Sequence, residues 1–146
     1  MQTLIIPVGI AGSGKSTYIR QNYPEFQRIC MDEIRGRFSL DPADKQQTVL
    51  ARDYCMPLLE EALAKGESVV WDATSLTEKI RKGLIDAAQK VGAKTVIVFF
   101  STPLEVILKR NSSRKRIVPE EAIMRQWNEL EKPKSNEADK LIVVAE

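Results

Sequence analysis

Gly9-Ile10-Ala11-Gly12-Ser13-Gly14-Lys15-Ser16 satisfies the pattern G-x-x-x-x-G-K-[ST] in full. Glycine carries no Cβ, so the backbone at these positions can wrap closely around a phosphate. The loop amides then point inward, and the helix that follows adds the partial positive charge of its N-terminus. Lys15 is spaced to reach the β- and γ-phosphates, and the Ser16 hydroxyl to ligate Mg²⁺. The chemistry implied is ATP·Mg²⁺ binding followed by phosphoryl transfer. A chance glycine-rich turn is the alternative. With glycine at about 7% of residues, a full match arises in roughly one chain in a hundred or fewer. Here a buried strand also precedes the loop and a helix follows it.

Two carboxylates stand where such chemistry needs them. Asp32 lies just past a second short strand, which the expected fold sets beside the phosphate-loop strand. It is placed to accept the proton of an attacking hydroxyl; the alternative is capping of the helix it begins. A carboxylate is a weak base at rest, but phosphoryl transfer asks mostly for positioning. Asp72 ends the apolar run Val69-Val70-Trp71. That suits a residue holding Mg²⁺ or its waters, or one orienting a nearby arginine. Lys109-Arg110-Asn111-Ser112-Ser113-Arg114-Lys115-Arg116 is the densest basic stretch. Its arginines suit a lid over ATP that neutralises the transferring phosphoryl group, with a solubilising loop as the alternative. Arg35 and Arg37 form a second basic cluster after Asp32.

Composition narrows the field. None of the 146 residues is histidine. Ser-His-Asp hydrolysis, Cys-His chemistry and histidine metal sites are therefore excluded. The two cysteines, Cys30 and Cys55, form no CxxC pair and read as buried thiols in a reducing compartment. A formal net charge of +2 does not by itself imply nucleic-acid binding. There is no run long enough to span a membrane and no signal-peptide pattern at the N-terminus, which leads to the expectation of a cytoplasmic protein. No N-K-x-D guanine motif is present. The short chain favours a nucleoside-kinase-like fold over a ring-forming ATPase.

The elements that must position these residues alternate. Strands are expected at 3–8, 26–31, 68–71, 94–100 and 141–144. Helices are expected over about 15–22, 32–38, 42–65, 77–91, from Pro103 and from Pro119. Asp41 is read as the N-cap of the long third helix, with a kink or break at Pro57. Gly66 and Gly92 are read as C-terminal stops. Trp71, Phe99, Phe100 and Trp127 read as packing residues. Five short strands separated by helices predict an α/β P-loop NTPase fold, with a mostly parallel five-stranded sheet between helices. Residues 1–146 are expected to form a single domain, with a lid at about 110–118.

These motifs together resemble the 5′-kinase domain of phage and bacterial polynucleotide kinases. The likeness rests on GIAGSGKST at 9–17, on Met31-Asp32-Glu33-Ile34-Arg35, on Trp71-Asp72-Ala73-Thr74-Ser75-Leu76, and on Lys109-Arg110-Asn111-Ser112-Ser113-Arg114 followed by Val118-Pro119. The resemblance implies transfer of the ATP γ-phosphate to a 5′-hydroxyl end of DNA or RNA. It implies that Lys15 and Ser16 bind phosphates and Mg²⁺, that Arg110 contacts the nucleotide and that Asp72 supports the active site; on the residue reading, Gly12, Ser13, Gly14 and Thr17 complete the expected nucleotide-binding set, with Ser16 and Asp72 the expected Mg²⁺ residues. The resemblance also implies Asp32 as general base, Arg35 on the acceptor, and Lys15 and Arg114 on the transferring phosphates. Family members are often fused to other end-healing modules. No D-x-D-x-T phosphatase signature occurs here, so no 3′-phosphatase activity is expected. A kinase acting on a small molecule or modified base, or a non-catalytic ATP-binding subunit, stay open at this point.

Overall fold

A computed structural model describes residues 1–41, 44–113 and 117–145. In chain order it contains β1 (Thr3–Val8), α1 (Lys15–Asn22), β2 (Gln27–Cys30), α2 (Met31–Arg37), α3 (Lys45–Ala64), β3 (Val69–Asp72), α4 (Glu78–Gln89), β4 (Lys94–Phe100), α5 (Leu104–Ser112), α6 (Glu120–Glu129) and β5 (Lys140–Val144). The five strands form one parallel sheet in the order β2-β3-β1-β4-β5. This is the expected α/β fold, a parallel five-stranded sheet between helices.

Both faces of the sheet are covered, which is why its central strands are continuous apolar runs. Leu4, Ile6 and Val8 of β1 point to one face, where they meet Cys55 and Leu59 of α3 and Leu84 of α4. Ile5 points to the other face and joins Ile19 of α1, Val98 and Phe100. Each fully buried side chain of this kind contributes about 1.5–3 kcal/mol. A third cluster, Ile10, Leu76, Ile107 and Ile123, ties the phosphate loop to α5 and α6. Pro7 lies in β1 opposite Val98. The β1–β3 ladder is registered at Leu4 and Ile5, and Pro7, which has no N–H to donate, lies just past it.

The sheet order corrects one expectation. β2 does not lie beside β1, because β3 is inserted between them. Asp72 is therefore the carboxylate next to the phosphate-loop strand, and Asp32 lies one strand further out. The helix ends also differ in detail. α2 begins at Met31 after Cys30, so Asp32 sits inside the first turn instead of capping it. The cap of α3 is Asp44, which accepts from Gln46 N (2.9 Å) and Gln47 N (3.3 Å). Being one residue before the helix, Asp44 can reach these otherwise unpaired amides, and Asp41 cannot. α3 runs through Pro57 without a break. At Gly66 and Gly92 the chain takes positive φ values of 83° and 72°. Glu67 N then bonds Ala62 O and Ala93 N bonds Ala88 O, closing both helices as Schellman motifs. No helix among the described residues is long and apolar enough to cross a membrane.

Candidate active site

The phosphate loop leaves the C-terminal end of β1 and enters α1 at Lys15. Gly12 and Gly14 take φ values of 84° and 98°, a region that L side chains seldom adopt. Gly9 is needed for a different reason. A Cβ there would lie 2.6 Å from Ser13 Oγ and 3.1 Å from the Phe100 Cβ. Three bonds from distant elements hold the loop: Gly9 N donates to Thr74 O (3.2 Å), Ala11 N to Gln126 Oε1 of α6 (2.8 Å), and Thr102 Oγ1 to Ser13 O (3.3 Å). Lys15 Nζ folds over the loop, donating to Gly9 O (2.7 Å) and Ile10 O (3.0 Å).

This cradle fits a phosphate chain. The N-cap of α1 is Gly14, which supplies no side-chain cap, so no capping side chain competes with an anion for the amides at the start of this helix. The Ser13 hydroxyl is buried in the loop and has no hydrogen-bond partner among the described residues. Ser16 and Thr17 are exposed beside it. No group of three acidic or thiol side chains that could hold a metal occurs among the described residues. Mg²⁺ needs no such group, because it is ordinarily bound through one or two protein oxygens together with substrate phosphates.

On the neighbouring strand, Asp72 is 7% exposed and pairs with Arg28 of β2. Arg28 Nε (2.8 Å) and its terminal nitrogen (2.6 Å) both reach Asp72 Oδ2. Arg28 also reaches Glu33 Oε1 at 3.1 Å. Burial works against the Arg28 charge, but the bonds and charge of Asp72 outweigh it and hold the guanidinium above its ordinary value. Asp72 thus orients an arginine, as one of its two expected roles required. One strand further out, Asp32 is 71% exposed and bonds Arg35 at 2.9 Å, one turn along α2. The Arg35 Nε is buried and has no partner among the described residues.

The loop residues Gly12 to Thr17, Asp72 and the Asp32–Arg35 pair thus share the C-terminal edge of the sheet, where open α/β sheets bind ligands. Arg110 is half-buried near the end of α5. Arg114 lies outside the described residues, as does the segment 114–116 of the expected lid. The base of that segment is closed by Asn111, whose amide donates to Val118 O (2.7 Å) and accepts from Val118 N (3.0 Å).

Four residues that support the site gave no local signal. Arg28 and Gln126 reach it from 44 and 115 positions away in sequence. Arg81 is fully buried and Glu137 nearly so. Arg81 Nε and its terminal nitrogen donate to Glu137 at 2.8 and 3.3 Å, and the other terminal nitrogen donates to Ser75 O at 2.9 Å. Ser75 takes φ 49° in the turn that carries Thr74, so this pair fixes the turn to which Gly9 is bonded. Burial pushes the Glu137 carboxyl up, but the bonds from Arg81 and from Lys134 N outweigh it, and its net shift is downward.

A family profile described as an AAA domain matches residues 4–133. The chain is 27% identical over 137 residues to the L-seryl-tRNA(Sec) kinase of Methanococcus maripaludis, covering 89% of this chain and 53% of that protein. It thus spans about half the length of this curated relative. A chain of the Pnkp1/Rnl/Hen1 RNA repair complex superposes with a TM-score of 0.75 at 21% identity, covering 88% of this chain and 44% of that one. A gluconokinase from Sinorhizobium meliloti 1021 superposes with a TM-score of 0.63 at 20% identity, covering 98% and 82%. These two likenesses are of fold.

Proposed function

Since the chain belongs to this family of AAA domains, we propose that it is an ATP-dependent kinase that phosphorylates 5′-hydroxyl ends of DNA or RNA. The observation that carries this reading is the exposed Asp32 carboxylate held by Arg35 at the same sheet edge as the phosphate loop. A pure ATP binder has no use for a base there. In the proposed reaction the acceptor hydroxyl attacks the γ-phosphorus, the new P–O bond forms as the bond to the leaving ADP oxygen breaks, and Asp32 takes the hydroxyl proton. Lys15 and the amides of Gly12 to Thr17 hold the phosphates. Ser16 and Asp72 would hold Mg²⁺, which would supply neutralising charge to the phosphate oxygens. Both Arg28 bonds fall on Asp72 Oδ2, so Oδ1 lies outside that pair. Arg35 steadies Asp32 and offers its terminal N–H groups to an acceptor phosphate. Arg110 and Arg114 act from a lid at 110–118 of a single kinase domain.

The likeness to an L-seryl-tRNA(Sec) kinase favours a second reading, in which the acceptor hydroxyl sits on a small molecule or on a group carried by RNA. The reactions are separated by incubating the protein with labelled ATP and 5′-hydroxyl oligonucleotides of DNA and RNA. End-labelling that vanishes in Lys15→Ala and Asp32→Ala supports the first reading. Absence of end-labelling at high enzyme concentration sinks it and favours the second. ATP binding without transfer to any hydroxyl would make the chain a non-catalytic subunit.

A further inference from the structure

α2 carries Asp32 and Arg35 three residues apart, and Phe38, its C-cap, follows three further on; each step of three turns back about 60° round the axis, so the three follow an inclined row along the helix surface. Beyond Phe38 the helix is stopped abruptly. Leu40 N bonds Arg35 O (2.8 Å) and Ser39 N bonds Gly36 O (3.3 Å), with Ser39 forced to φ 53°. A non-glycine residue in that conformation is strained. The Phe38 ring meets Tyr54 of α3 in an edge-on pair, centroids 5.1 Å apart at 66°. Both rings remain open, Phe38 at 49% and Tyr54 at 43% exposure. Together with Ile34, Leu40, Leu50 and Ala51 they line a shallow apolar groove of about 290 Å³.

A groove of this size is at the lower limit of small-molecule pockets and suits one planar group better than a whole nucleotide. Its position selects the group. Six residue steps lead from Asp32 to Phe38, an axial rise of about 9 Å, and Arg35 lies between them. An acceptor whose hydroxyl is at Asp32 and whose phosphate is at Arg35 therefore brings a flat π surface to the groove. Aromatic rings beside arginines are the means by which single strands are held without sequence readout. We propose that the Phe38–Tyr54 pair is a stacking platform for a nucleobase of the acceptor, one of the first two from its 5′ end. The proposal rests on the reading of the chain as a 5′-hydroxyl kinase.

The test compares wild-type kinetics on an intact 5′-hydroxyl oligonucleotide with the same strand made abasic at its first or second position. KM for one of the two abasic strands should rise about tenfold, toward the lower end of what one base–aromatic stack is worth, with the loss on KM and not on kcat. Phe38→Ala and Tyr54→Ala should raise KM for the intact strand by a similar factor and no longer distinguish it from the abasic one, while Tyr54→Phe should behave as wild type. If abasic strands are phosphorylated as well as the intact strand, the platform is overturned and the kinase reading stands. No end-labelling by the wild-type protein overturns both. If the alanine variants instead change the mass of the protein in solution and leave KM unmoved, the face is a contact between protein copies and the platform is likewise overturned.

Discussion

Replacing Arg81 by Met removes three hydrogen bonds at once and leaves Glu137, 5% exposed, as a carboxylate without its counter-charge. Lys134 N still donates to it at 2.7 Å, but one amide does not neutralise a buried charge. Breaking a buried pair in this way costs about 3–5 kcal/mol, a large share of the ~5–15 kcal/mol by which domains are ordinarily stable. With an unfolding entropy of about 2 cal/mol/K per residue, a 146-residue chain should lose roughly 10–16 °C in Tm. Trp71, 1% exposed, gives a fluorescence signal for urea unfolding at pH 7. Adding Glu137→Leu should recover most of the loss, because a matched apolar pair carries no desolvated charge. The pH dependence has a definite sign. The native Glu137 value is depressed, so its contribution is fully present above the unfolded value near 4.3 and is lost as pH falls through the native one. The gap between wild type and Arg81→Met should narrow as pH falls, because the unpaired buried carboxyl of the variant takes up its proton at a higher pH than the paired one. The Thr74 carbonyl that holds Gly9 belongs to the turn Arg81 fixes, so KM for ATP should rise in the variant as well. A loss under about 1 kcal/mol at pH 7, the scale of an exposed pair, would refute the reasoning.

Gly9→Ala forces a methyl group against Ser13 Oγ and Phe100; it should cost about 1–3 kcal/mol in thermal unfolding, with Ser13→Ala in the same chain restoring part of the loss. Gln126→Leu deprives the Ala11 amide of its acceptor and should cost about 1–3 kcal/mol, with weaker ATP binding by calorimetry. Burial pushes the Cys30 and Cys55 thiols up, so alkylation at pH 8 should be slow in the folded protein and fast in urea, as followed by mass spectrometry.

Much of the scaffold could be read locally. The boundaries of β1 and β4 follow from apolar runs ended by turn residues, and Thr77, Gly66 and Gly92 mark helix ends by their own chemistry. The phosphate loop was legible because one contiguous segment builds it. Strand order was not, since parallel strands are joined by crossovers and nothing in the β2 sequence says which neighbour it will take. The placement of Asp32 beside the phosphate-loop strand failed for that reason. Asp41 and Asp44 are equivalent by residue type, and only the helix start separates them. Trp127 matched the helical spacing of Ile123 yet is 37% exposed, because α6 buries a narrower stripe than its apolar residues suggest. Arg28, Arg81 and Gln126 read as ordinary surface polarity until the fold brings partners 44, 56 and 115 residues away to them.

The central place of β1 in the sheet also bears on how the chain is made. Leu4 must wait for Val69 on one side and Thr95 on the other before either edge of its strand is satisfied. At synthesis rates of about 5–20 residues per second, some 5–20 s separate the appearance of β1 from that of β4. For that interval Leu4, Ile5, Ile6 and Val8 form a sticky, unpaired segment that a nascent neighbour could capture. Pro7, otherwise an odd residue for a central strand, interrupts that segment. With no N–H to donate, it spoils the in-register stacking on which fibrils depend and so acts as a gatekeeper during the wait.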